Sequence, residues 1–132
     1  MCELCETTGG ILLWEDDFLR IVRAEMLGYE GFCRVILQHH ISEMTDLSLN
    51  DRNRLMNAVY AVEMMLRKLY KPIKINLASL GNVVPHLHWH IIPRFSDDPH
   101  FPQPIWSHAL REQVHRPFID DKTLRNELLK YL

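Results

Sequence analysis

The run His86-Leu87-His88-Trp89-His90-Ile91-Ile92-Pro93-Arg94 alternates three histidines with large apolar residues. Strict alternation marks a half-buried β-strand, because successive side chains point to opposite faces. Leu87, Trp89 and Ile91 are therefore expected to face a core. The imidazoles of His86, His88 and His90 are expected in a row on the other face, roughly 6–7 Å apart. Imidazole is the side chain whose ordinary pKa lies nearest neutrality, so such a row reads as a nucleophile, an acid/base relay or a metal nest. A merely solvated face would draw on Ser, Thr and Lys more often than on histidine.

Working outward, Lys74 to Ser79 reads as the preceding strand, joined to the histidine strand by a Gly-containing loop, Leu80 to Pro85. Asn76, Ser79, Gly81 and Asn82 make this region small and polar. Glycine lets backbone approach a ligand closely, and free N–H groups in such a turn can cradle a phosphate. A plain hairpin turn would look the same; only the neighbouring imidazoles turn the reading toward phosphoryl or nucleotidyl transfer.

Upstream the period changes. Leu55, Val59, Val62, Leu66 and Leu69 step by four, three, four and three, an apolar stripe along one helix. Ser48-Leu49-Asn50-Asp51 has the form of a capping box at its start, and Pro72 lies just past its end. Met56 and Met65 read as core filler. Ile11 to Trp14 and Phe18 to Ala24 read as hairpin partners around Glu15-Asp16-Asp17, and Phe32 to Leu37 as a third strand. Ser96 to Pro104 reads as surface loop, and Thr123 to Leu132 as a short terminal helix. The expected class is α+β: a five-stranded antiparallel sheet with one long helix packed on it and a short C-terminal helix.

The chain has 132 residues, the size of a single domain. We expect one domain over 1–132, with its core over about 1–95 and a divergent tail over 96–132. Apolar residues are 47% and charged residues 24%, an ordinary globular balance. A net charge of −2 argues against nucleic-acid or membrane binding by bulk charge, but not against a small anionic ligand in a locally basic pocket. No apolar run reaches membrane-spanning length and the N-terminus is not a signal peptide, so a cytoplasmic location is expected. Three cysteines suit reduced thiols or a metal site better than a disulfide framework. The Cys2-x-x-Cys5 spacing lets two thiolates reach one zinc.

The stretch from Asn76 to Arg94 resembles the signature of the histidine triad family: His-x-His-x-His, two apolar residues, then commonly Pro-Arg. Gly31 to Ile41, ending in His39-His40-Ile41, is similar to the family's strand and following turn. Cys2-x-x-Cys5 resembles the N-terminus of many bacterial members. The resemblance covers roughly the first two-thirds of the chain and ends at Phe95.

It implies a nucleotide hydrolase or nucleotidyl transferase acting at the α-phosphate of nucleoside phosphoramidates or dinucleoside polyphosphates, commonly as a homodimer. Carried onto this chain, His88 would be the nucleophile. His90 would contact the phosphate oxygens, and His86 would hold the site together. Asn82, beside Gly81, stands where a glutamine near the phosphate is usual, and Asn76 matches a polar residue that contacts the nucleotide. Zinc-bearing members imply a structural zinc on Cys2, Cys5, His86 and His40, with His39 as substitute for His40. No cofactor would be required for catalysis.

Three positions depart from the pattern. Phe32 stands where many members have a fourth histidine. Val83 replaces a serine or threonine near the leaving group. The residue that holds the ribose would fall on Ala24, with Glu25 adjacent as a substitute. Two rival readings follow from the residues: a three-histidine metal hydrolase, and a non-catalytic module that binds nucleotide or a partner.

Overall fold

The computed structural model describes residues 1–132. In chain order the elements are α1 (Glu3–Glu6), β1 (Ile11–Glu15), β2 (Leu19–Arg23), β3 (Cys33–Leu37), a 3-10 turn (Met44–Asp46), α2 (Leu49–Tyr70), β4 (Lys74–Ala78), β5 (His88–Arg94) and α3 (Asp121–Leu128). The strands form one five-stranded antiparallel sheet in the order β1-β2-β3-β5-β4. This is the expected α+β architecture, with β5 inside the sheet between β3 and β4.

The long helix starts and stops where its chemistry directs. The Ser48 hydroxyl accepts the Asp51 N–H at 3.1 Å, satisfying one orphan donor of the first turn. Lys71 then turns left-handed, with φ 49°, and Pro72 prevents continuation. Leu55, Val59, Val62 and Leu66 are fully buried against Leu19, Ile21, Val35, Leu37 and Ile91. One face of the sheet is thus sealed by α2 and by α3, whose Leu124 and Leu128 enter the same core.

The opposite face differs from expectation. His86, His88 and His90 are all buried, at 0%, 9% and 7% exposure, so the histidine strand is not a half-solvated one. The reason is tertiary: β5 is interior to the sheet and its second face is covered too. Leu4 of α1, which the sequence reading did not foresee, packs there on Val22 and Ile36. Further along, Ile105 of the tail closes over Ala24, Tyr29, Phe32 and Ile92. The regular strand also begins at His88 rather than His86. Leu87 still donates to Ile41 O at 2.8 Å, whereas His86 N–H turns back to Val84 O.

The tail is likewise less superficial than expected. Asp98 is 1% exposed and forms a bidentate pair with Arg94, at 2.8 and 3.0 Å. Asp98 also accepts the N–H groups of Phe95, His100 and Phe101. Burial alone would raise this carboxyl; Arg94 and the three backbone donors hold it well below the usual carboxylate range. One ion pair thereby orders the chain over 95–101. The terminal helix begins two residues earlier than expected, because the Asp120 side chain accepts the Thr123 N–H at 2.8 Å and caps it.

Candidate active site and metal centre

His88 sits at the start of β5, in a depression of about 310 Å³ that it shares with Met44, Ser79, Gly81, Leu87 and Trp89. Its Nδ1 lies 2.5 Å from the His86 carbonyl. A carbonyl oxygen only accepts, so Nδ1 carries a proton, and the tautomer this selects has its lone pair on Nε2. Ser79 donates to the His88 carbonyl at 2.9 Å and holds the backbone from the β4 side.

His90 is two residues on, in edge contact with His88 at a centroid distance of 5.0 Å. Phe32 and Trp106 pack on its other sides, at 5.6 and 5.2 Å. Its Nδ1 is buried without a hydrogen-bond partner, while Nε2 is not sealed. Burial, with His88 and Arg34 adding positive potential, pushes its pKa down to about 4, so the ring is neutral at neutral pH. Phe32 supplies packing where the signature often has histidine, and packing leaves that nitrogen unpaired.

His86 faces elsewhere. Its Nε2–H donates to Leu37 O at 2.6 Å, which leaves the lone pair on Nδ1. That nitrogen lies 3.4 Å from Cys2 Sγ, 3.5 Å from Cys5 Sγ and 3.3 Å from His40 Nδ1. His40 Nδ1 is 3.6 Å from Cys5 Sγ, and all four atoms lie within 4.8 Å of one another. Zinc bound tetrahedrally at its usual N and S distances spaces its ligand atoms roughly 3.3–3.8 Å apart. The four separations of 3.3 to 3.6 Å fall in that range. Burial also pushes His86 below the ordinary imidazole value, favouring the neutral ligand form. His40, not His39, is the residue that joins the cluster.

The structure does not gather every residue singled out from the sequence. Gly81 lines the His88 depression, with φ +73°, a left-handed conformation open to glycine. Asn82 is exposed in the same loop. Asn76 is on the histidine face of β4, but its Oδ1 already accepts from Arg94 Nη1 at 2.8 Å. Glu25 is exposed and lines a separate depression with Met26, Tyr70 and Phe118. Sequence reasoning missed Trp106 and Arg34. Trp106 lies in an aperiodic tail with no signal tying it to His90. Arg34 was signalled by parity alone: in Cys33-Arg34-Val35 it must face away from the apolar core, and only strand pairing sets it opposite His90.

A family model for the HIT domain matches residues 9–97. The chain belongs to the HIT domain family. Its fold agrees with those of solved histidine triad proteins. One from Marinobacter aquaeolei VT8 is 24% identical, covering 100% of this chain and 99% of the other, with a TM-score of 0.79. One from Sinorhizobium meliloti 1021 is 25% identical over 100% and 96%, with a TM-score of 0.76. One from Bradyrhizobium japonicum is 23% identical over 94% and 91%, with a TM-score of 0.75. No curated protein gives a significant match. HIT proteins are generally nucleotide-binding proteins and hydrolases, and the His88–His90 pair lies within the matched residues. No helix of the chain is long and apolar enough to cross a membrane.

Proposed function

We infer that this HIT protein is a nucleotide hydrolase or nucleotidyl transferase that uses His88 as a covalent nucleophile. The observation that carries the reading is the Nδ1–H bond to the His86 carbonyl, which leaves Nε2 as the free lone pair. In the proposed reaction Nε2 bonds to the α-phosphorus of a nucleoside phosphoramidate or dinucleoside polyphosphate as the bond to the leaving group breaks. His90 Nε2 and loop N–H groups near Asn82 stabilise charge on the equatorial oxygens. Water then attacks phosphorus, releases the nucleoside monophosphate and returns the electron pair to His88.

The test is turnover of a fluorogenic adenosine phosphoramidate and a dinucleoside polyphosphate. His88→Ala should lower the chemical step by several orders of magnitude while nucleoside monophosphate still binds. Wild-type turnover by the variant on every substrate would refute the nucleophile. Nucleotide binding without turnover by the wild type would favour a non-catalytic module. The unpaired Nδ1 of His90 beside Phe32 is the observation that supports that second reading.

Structural zinc on Cys2, Cys5, His40 and His86 belongs to the same proposal, supported by the ligand spacing and the His86 tautomer. There it would tie α1 to the start of β5. A homodimer is also proposed; the single-neighbour edge strand β4 and the exposed Tyr60 and Met64 of α2 support it.

A further inference from the structure

Arg34 lies on the histidine face of the sheet, directly opposite His90 in the β3–β5 pairing. Its guanidinium packs on Phe32, 5.1 Å from the ring centroid, and Phe32 packs in turn on His90. Nη1 donates to the Gly9 carbonyl at 3.0 Å. Nε and Nη2 make no protein hydrogen bond, and neither is sealed from solvent.

Other inward arginines are spent. Arg23 pairs with Asp121 and Arg94 with Asp98. Arg20 commits all three nitrogens, to carbonyls of Leu4, Thr7 and Thr8 and to Gln38. Arg34 has no carboxylate within ion-pair distance, and burial disfavours its charged form. Glu3 lies near enough to favour the charge in part, but it does not reach the guanidinium. A half-buried guanidinium with two free donors and no paired carboxylate is a fork awaiting an oxyanion. Phosphate matches that fork in geometry and charge.

We propose that Arg34 forms an oxyanion subsite beside the active-site histidines and holds a second phosphoryl group of the substrate. The proposal rests on His88 and His90 handling the reacting phosphate; it adds that the preferred substrate carries a further phosphate within reach of β3. That phosphate has two sources, the 5′ chain of a nucleoside diphosphate or the sugar of a nucleoside bisphosphate.

Calorimetric titration of wild type and Arg34→Met distinguishes them, with AMP, ADP, adenosine 3′,5′-bisphosphate and inorganic pyrophosphate as probes. Wild type should prefer one two-phosphate nucleotide over AMP. Arg34→Met should cut that preference about ten- to a hundredfold, the weight of hydrogen bonds to a charged group. Loss confined to ADP assigns the 5′ chain; loss confined to the bisphosphate assigns the sugar. Arg34→Lys, which keeps charge without the fork, should retain part of the preference; it carries the test if the Met variant fails to fold. An unchanged preference in the variants overturns the subsite while leaving the nucleotide reading intact. Pyrophosphate bound through Arg34, with no nucleotide bound, overturns the nucleotide reading and leaves the subsite standing.

Discussion

His86 and His88 are two residues apart, yet their rings serve different centres. His86 presents Nδ1 to two thiols and His40, while its carbonyl fixes the proton on His88 Nδ1. His90 is the third case, a ring kept neutral by burial. Its value falls from the ordinary 6.5 to about 4, so between those limits the unfolded chain binds a proton that native His90 refuses. More protons on the unfolded state mean that stability falls as pH falls from about 6.5 toward about 4. Denaturant unfolding at a series of pH values should show this slope, and His90→Phe should flatten it relative to wild type. An identical slope in the variant would remove His90 as the cause.

Among the elements, α2 was legible end to end. Its apolar stripe, Ser48 cap and following Pro72 are local features, and local features survive folding unchanged. The histidine strand was legible as a strand but misread in its faces. Alternation reports only that two faces differ; it does not report whether the polar one meets water. At the end of α2, Lys71 holds a left-handed conformation that costs a non-glycine residue on the order of 1 kcal/mol. Lys71→Gly should therefore stabilise the protein by up to about that amount, read as a raised thermal midpoint. A lowered midpoint would mean that the Lys71 side chain holds something glycine cannot replace.

For the molecule as a whole, the N-terminus is the part most dependent on a distant partner. Helix α1 has four residues and contributes Leu4 to the small cluster with Val22 and Ile36. Metal on the cluster would bind the native state alone and stabilise it by linkage. Protein purified without chelator should contain about one zinc per chain, and removing it should lower the thermal midpoint by several degrees. Cys5→Ser should reproduce that loss. Zinc far below one per chain would refute the centre.

The triad, its two-residue spacing, the helix and its cap, and Cys2-x-x-Cys5 are patterns of near neighbours; they carried the fold class, and the family resemblance they support singled out His88. The pairing of β3 with β5 and the placement of Trp106 and Arg34 around His90 are contacts between residues far apart in the chain; so is the convergence of Cys2, Cys5 and His40 on His86, which the family resemblance implied but no local pattern contains. Pro93-Arg94 shows the boundary. As a dipeptide it marks the end of a motif; only folding gives Arg94 its Asp98 and lets that pair draw the tail back over the sheet. Burial and charge compensation depend on what folds over a residue, and a linear pattern holds no record of the cover.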